Sequence, residues 1–173
     1  SGTFTIGLTP KTFENGDVYV GQFKNDAFNG QGNYTYSNGQ QYIGDFKNGY
    51  FDGHGTQFYF DGDVYVGGWK NGEPHGEGKE YHKNSKLAYV GGWQDGVFHG
   101  KGETYHENGQ IEYKGELQNG KRNGQGKCYD KNGKLHYDGQ FQNGKFHGKG
   151  KRYYENGKLA HEGEFQNGKK ANN

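Results

Sequence analysis

The chain of 173 residues has no methionine, one cysteine, two prolines and only 28% hydrophobic residues. A single cysteine, Cys128, excludes an internal disulfide framework and is compatible with a reducing compartment. No apolar run approaches the length of a membrane-spanning helix, and no signal or transit peptide is recognisable. The net charge of +1 gives no basic footprint for nucleic acid. We therefore expect an intracellular, cytoplasmic protein, either free or associated with a membrane or the cytoskeleton.

Aromatic residues and glycine make up for the missing aliphatic residues. The chain holds 15 Tyr, 12 Phe, 2 Trp and 35 Gly. Disordered chains are poor in aromatic residues, so low hydrophobicity does not indicate disorder here. So few aliphatic side chains cannot fill a thick globular core, but stacked aromatic rings can fill a thin, elongated one.

A short pattern, Tyr-x-Gly-x-aromatic, recurs along the sequence. Its copies begin at Tyr19, Tyr42, Tyr65, Tyr89, Tyr113 and Tyr137, and a degenerate copy begins at His161. Successive copies lie 23 or 24 residues apart, a constant period that is typical of a repeat protein. The sequence is therefore one structural unit written about six times, with partial units at both ends.

Each unit has the pattern of a β-hairpin. Tyr65, Gly67 and Trp69 alternate with Val66 and Gly68, and this period of two indicates a strand. An Asn-Gly pair follows, the strongest short signal for a tight hairpin turn, and a second aromatic run and a second turn close the unit. No helical period is present. We predict an all-β fold, an elongated single-layer antiparallel array of β-hairpin repeats spanning residues 13–168. Residues 1–12 would form an N-terminal segment, with Ser-Gly as the remnant of a fusion, and residues 169–173 a tail.

The pattern resembles the MORN (membrane occupation and recognition nexus) repeat. The shared frame is Tyr-x-Gly-x-(Trp/Phe)-x-x-Gly-x-x-(His/Asn)-Gly-x-Gly, closed by (Asn/Asp)-Gly, and it covers nearly the whole chain. The sequence departs from it at Asp26, Ser85, Leu117 and His161. The resemblance implies a scaffold of β-hairpins. It also implies binding of protein segments, self-association or contact with anionic phospholipids.

We expect no catalytic, metal or cofactor site and no small-molecule substrate. Three histidines share one repeat position: His75, His99 and His147. Other units carry Asn29, Asp52 or Asn123 there. Copies about 10 Å apart cannot share a zinc ion, whose ligands lie about 2.1 Å away. The exchange with Asn and Asp instead indicates side chains that bond the backbone of a loop.

Protein binding is the predicted function, and the leading rings of the repeats are its first candidate site. They are Tyr19/Phe23, Tyr42/Phe46, Tyr65/Trp69, Tyr89/Trp93 and Tyr137/Phe141, with Tyr113/Leu117 as the less aromatic pair. One interpretation is that these rings form the core, each packed on a neighbouring glycine. The alternative is that a single layer leaves a ring-lined groove open to a partner.

A second candidate is an aliphatic stripe on the opposite face, formed by Val20, Ile43, Val66 and Val90, one residue after each leading tyrosine. The later copies carry charge there, beginning with Lys114 and Asp138. A solvated sheet face should be polar, so the stripe predicts a surface for a partner or a homodimer. The alternative is simple β-propensity, since Val and Ile suit strands anywhere.

Charge divides along the chain. Residues 1–88 hold 7 Lys and Arg against 10 Asp and Glu, and residues 89–173 hold 14 against 10. Lys121, Arg122, Lys151 and Arg152 are the candidate residues for an anionic membrane surface. A third possibility is that the chain is the targeting or assembly module of a larger enzyme.

Overall fold

The structure is a computed structural model that describes residues 4–6 and 9–171. The described chain divides into two compact units, Ser1–Ser85 and Lys86–Asn173. All regular secondary structure in the described residues is β-strand. The prediction of an all-β array of antiparallel hairpins is therefore confirmed.

The described residues of unit 1, Ser1–Ser85, form eight strands. They are β1 (Phe4–Ile6), β2 (Lys11–Thr12), β3 (Val18–Lys24), β4 (Ala27–Thr35), β5 (Gln41–Lys47), β6 (Tyr50–Phe58), β7 (Val64–Lys70) and β8 (Glu73–Tyr81). From β3 to β8 each strand pairs antiparallel with the next one in sequence. β1 and β2 both pair with β3, so segments before the predicted repeat range also belong to the sheet.

The described residues of unit 2, Lys86–Asn173, also form eight strands. They are β9 (Leu87–Gln94), β10 (Val97–Tyr105), β11 (Ile111–Gln118), β12 (Lys121–Tyr129), β13 (Leu135–Gln142), β14 (Lys145–Tyr153), β15 (Leu159–Gln166) and β16 (Lys169–Lys170). Each strand again pairs antiparallel with the next. The last strand, β16, has two residues, both lysine, which suits the exposed edge of a sheet.

The hairpin turns have the geometry that Asn-Gly pairs favour. Asn71 and Gly72 both have positive φ, 50° and 86°, as the two central residues of a type I′ turn require. Asp26 replaces the turn glycine and still adopts a φ of 63°. Asp and Asn tolerate this region better than other side chains, so that departure from the repeat frame leaves the turn intact.

A β-bulge lies in the first strand of each hairpin, directly after the repeat glycine. In β7 the register shifts between Gly67 and Trp69. The carbonyl of the bulged residue, Gly68, accepts a hydrogen bond of 2.8 Å from the Tyr65 hydroxyl. The leading tyrosines of the other hairpins make the same bond, three residues ahead, at 2.5–2.8 Å. The tyrosine hydroxyl therefore satisfies the carbonyl that the bulge removes from the ladder.

Candidate interaction surfaces

The leading tyrosines define one face of each unit, which we call the ring face. Their rings lie along paired glycines of adjacent strands, such as Gly67 and Gly78 beside Tyr65. A Cβ atom placed on Gly78 would come within 2.3 Å of the Tyr65 hydroxyl oxygen. These glycines are required because the ring occupies the space of a side chain.

The leading rings are the core of the sheet. Tyr19, Tyr42, Tyr65, Tyr89, Tyr113 and Tyr137 are at most 1% exposed. Their companions Phe46, Trp69, Trp93, Leu117 and Phe141 are also buried, and only Phe23 is half-buried. Buried rings have no surface to offer a partner, so we assign these residues to the core and not to a binding groove.

A second layer of rings, which was not predicted from the sequence, covers the tyrosines. Phe28, Phe51, Phe98 and Phe146 stack on the leading tyrosines with ring centroids 3.8–3.9 Å apart. Each lies nine residues after the tyrosine that it covers, a spacing that is visible in the sequence. These rings are half-buried, so they, and not the tyrosines, form the accessible part of the ring face.

The outer face, opposite the ring face, carries the aliphatic stripe in unit 1. Ile43 is 43% exposed, while Val20 and Val66 are half-buried. Ile43 pairs with Asn33, which pairs with Val20, and on its other side with Thr56, which pairs with Val66. Uncharged polar residues thus separate the stripe residues of unit 1. Phe58, two residues after Thr56 and on the same face, is 40% exposed.

In unit 2 the equivalent row of the outer face is charged. Val90, the fourth stripe residue, pairs with Glu103, and charged residues occupy this row up to Glu162. Three cross-strand ion pairs form, Lys114–Glu103 at 3.1 Å, Lys127–Asp138 at 3.8 Å and Lys151–Glu162 at 3.6 Å. Two shallow cavities of about 510 and 400 Å³ lie beside this row, floored by the glycine pairs.

The four basic candidates do not share one surface. Lys151 and Arg152 are neighbours in a strand and therefore point to opposite faces. Lys151 pairs with Glu162 on the outer face, while Arg122 lies on the ring face, 4.8 Å from the centroid of Tyr113. Lys121 is exposed beside the turn of its hairpin.

Arg122 is held by its neighbours in the fold. One guanidinium nitrogen lies 3.4 Å from a Glu112 oxygen, and another lies 3.2 Å from the sulfur of Cys128. Cys128 itself is buried, and burial raises the pKa of its thiol. The thiol therefore remains protonated and unreactive at neutral pH.

Some repeats carry Asp or Asn at the position that His75, His99 and His147 share, and these side chains bond the backbone of the next hairpin turn. Asp52 accepts a hydrogen bond from the amide of Asn71 at 3.3 Å, and Asn123 from that of Asn143 at 3.4 Å. Across residues 4–6 and 9–171, no three His, Cys, Asp or Glu side chains lie close enough together to hold a metal ion. In the same residues there is no helix of the length and apolarity needed to cross a membrane.

Repeated hairpins that bury a tyrosine against their own glycines define a class of proteins, the β-hairpin repeat proteins. The MORN repeat profile matches residues 19–41, 42–64, 65–85, 113–135, 137–158 and 161–171, and a MORN repeat variant profile matches residues 98–119. The chain therefore belongs to the MORN repeat family. Comparison with curated proteins gave no match. Repeats of this family commonly mediate interactions with proteins or membranes and are typically non-catalytic.

Proposed function

We propose that this protein is a non-catalytic scaffold that binds another protein, or a second copy of itself, through the outer face of unit 1. The observation that carries the proposal is the exposure of Ile43, 43%, in the middle of a row that also contains Val20 and Val66. Phe58 and Val64 form a cross-strand pair beside this row. A sheet face open to water is normally polar, so three aliphatic residues in one row, with the exposed Phe58 beside them, indicate an interaction site even though Asn33 and Thr56 lie between them.

The contrast between the units supports this choice of face. Strands of the same repeat carry cross-strand ion pairs on the outer face of unit 2, such as Lys127–Asp138. The charged side chains of unit 2 pair with one another, whereas Ile43 and Phe58 in unit 1 are apolar and remain 43% and 40% exposed. The apolar row is therefore a feature of unit 1 and not a requirement of the repeat.

The test is a charge placed in the row. Ile43→Glu combined with Val66→Glu should abolish association and leave the sheet folded, because both side chains point away from the buried rings. Circular dichroism would check the fold, analytical ultracentrifugation would measure self-association, and pull-down would measure capture of a partner. Ile43→Thr with Val66→Thr is the matched control, because it keeps the β-branched shape and adds no charge.

The outcomes separate the competing interpretations. Unfolding of the glutamate variant alongside a folded threonine variant would mean that the row is core. A folded glutamate variant that associates as the wild type does would place the interface elsewhere, with the half-buried rings Phe28 and Phe51 of the ring face as the next candidates. A glutamate substitution of Phe51 would then be the corresponding test.

Anionic lipid binding is the alternative function, and it has less support. Of the four basic candidates, Lys151 and Arg122 already pair with Glu162 and Glu112. A role as the targeting or assembly module of a larger enzyme is compatible with either mode of binding, and the full reading frame would test it directly.

A further inference from the structure

We propose that an open cavity in unit 2, between the turn at Asp130 and strand β14, binds an aromatic side chain of a partner polypeptide. This inference rests on the proposed protein-binding function and names the chemistry of a second contact. The repeats share a turn that precedes the leading tyrosine. In these turns the first residue donates its backbone N–H to the carbonyl four residues later, as Phe13 does to Asp17 at 2.9 Å and Asp130 does to Lys134 at 2.8 Å.

Asp130 is the exception among these turns. In the turns for which the structure describes this hydrogen bond, the first residues are Phe13, Tyr36, Tyr59, His106, Asp130 and Tyr154. Five of the six first residues carry a ring, and only Asp130 does not. The Asp130 turn therefore has no ring at its first position, and the ring that the chain does place there is that of His136, two residues after the turn, with its centroid 6.0 Å from that of Phe146.

Unit 1 shows what a ring does in that position. Phe13 packs edge-to-face on Phe28 with centroids 5.9 Å apart, and it stacks on Tyr34 at 6.2 Å. The register identifies the corresponding neighbours of Asp130. Tyr34 pairs with the leading Tyr19 as Arg152 pairs with Tyr137, and Phe28 pairs with Phe23 as Phe146 pairs with Phe141. A ring placed at the Asp130 turn would therefore contact Phe146 and Arg152.

The space for such a ring is present. A cavity of about 560 Å³ is lined by residues that include Asp130, His136, Phe146, Arg152 and Tyr154. This volume lies within the range of pockets that hold small ligands, and an indole or phenol ring fits inside it. Arg152 is well suited to be one wall, because a guanidinium stacks on aromatic rings.

Arg152 lacks the kind of partner that its counterpart Thr104 has. In the corresponding position of an earlier hairpin, Thr104 bonds to Glu112 of the next strand at 3.3 Å. The residue that corresponds to Glu112 beside Arg152 is Ala160, which also lines the cavity. In the part of the chain that the structure describes, the Arg152 guanidinium has no hydrogen bond or ion pair. Arg152 is half-buried, so its guanidinium is accessible to an acceptor that a ligand brings into the cavity.

The hydrogen-bonding groups at the rim of the cavity suit a peptide better than an isolated hydrocarbon ring. Arg152 can donate to a peptide carbonyl, and the exposed Glu155 at the cavity mouth can accept from a peptide N–H. One oxygen of Asp130 already accepts the amides of Asn132 and Lys134, both at 2.9 Å, so this side chain is fixed against its own turn. An aromatic residue within a polypeptide supplies the ring and both backbone groups.

The experiment titrates the full chain with N-acetyl-tryptophanamide and follows the backbone amide resonances of Asp130, Arg152 and Tyr154 by NMR. We expect saturable shifts at these residues, with N-acetyl-leucinamide binding about tenfold more weakly. Asp130→Phe should supply the missing ring from the chain itself and abolish binding, while Asp130→Asn should retain it. Arg152→Gln should weaken binding and leave the fold unchanged.

Three results would overturn the inference. They are the absence of saturable binding, equal binding by the Asp130→Phe variant, and equal affinity for the leucine analogue. Indole that binds as tightly as N-acetyl-tryptophanamide would mean that the cavity takes free aromatic molecules and not a peptide residue. The Ile43→Glu, Val66→Glu protein serves as the independent control, because loss of its partner with retained tryptophanamide binding shows that the outer face and the cavity act separately.

Discussion

Replacing Gly78 by alanine tests the packing principle on which the whole sheet depends. The added Cβ would lie 2.3 Å from the hydroxyl oxygen of Tyr65 and 2.6 Å from two ring carbons, whereas ordinary contacts are 3.4–4 Å. The ring must therefore shift by about 1 Å, and overpacking of this kind costs about 1–3 kcal/mol. The shift also breaks the hydrogen bond from Tyr65 to Gly68, worth about 1 kcal/mol.

We expect Gly78→Ala to lower the free energy of unfolding by about 2–4 kcal/mol and the melting temperature by roughly 10 °C or more. Urea and thermal denaturation followed by circular dichroism would measure both. Gly76→Ala is the control, because its Cβ would meet no atom within 4 Å and only its φ of +86° opposes alanine. That strain costs about 1 kcal/mol and does not involve Tyr65.

A double mutant locates the clash. Tyr65→Phe removes the atom nearest to the new Cβ. The loss of unfolding free energy in the double mutant should therefore be smaller than the sum of the two single losses by about 1 kcal/mol. Tyr65→Phe should offset less of the unfolding free energy lost in Gly67→Ala. The Cβ of that alanine would meet backbone atoms, 2.5 Å from Gly78 Cα and 2.6 Å from the Glu77 oxygen. A Gly78→Ala protein that melts as the wild type does would refute the packing of tyrosine on glycine.

Three further predictions concern the repeats, the buried tyrosines and the basic residues. Truncation after Asn119 should leave a folded but less stable chain, because each hairpin packs mainly on its neighbours; complete loss of β-structure by circular dichroism would contradict this. Burial raises the pKa of Tyr19 and Tyr137 to about 12 from an ordinary value of 10.0, so the unfolded chain loses these protons first. The unfolding free energy should be unaffected by these groups below pH 10 and fall as pH rises toward 12, and a urea midpoint that is constant over that interval would be inconsistent with the burial. Vesicles containing anionic lipid should not capture the protein at physiological salt, where the Debye length is about 8 Å. Sedimentation with vesicles that is lost when Lys121, Arg122, Lys151 and Arg152 are changed to Gln would favour the lipid function instead.

The hairpins could be predicted from the sequence because their determinants are local. Alternation of Tyr65, Gly67 and Trp69 defines a strand face, and Asn71-Gly72 defines the turn that follows. Neither signal depends on contacts with distant residues. For the same reason the period of 23 or 24 residues was sufficient to predict the antiparallel order of the strands.

Burial of the leading rings could not be predicted from this alternation. A period of two shows that Tyr42 and Phe46 share a face, but not what covers that face. The cover comes from the opposite strand of the same hairpin, where Phe51 stacks on Tyr42 at 3.8 Å. An aromatic residue nine positions after the leading tyrosine is the sequence signal for this layer, and it distinguishes a packed ring face from an open groove.

The role of the basic residues in unit 2 also could not be predicted from their charge alone. Arg122 occupies the position of the covering ring, nine residues after Tyr113, and its guanidinium lies over that tyrosine as Phe146 lies over Tyr137. Glu112 balances its charge. A basic residue can thus replace a ring within the repeat, and its charge is then used inside the fold. Arg152 differs because no carboxylate in the described chain pairs with it. The cations of this unit thus divide into those paired within the fold, such as Arg122, and those with no carboxylate partner there, such as Lys121 and Arg152, and our proposal of a ligand contact concerns Arg152 alone.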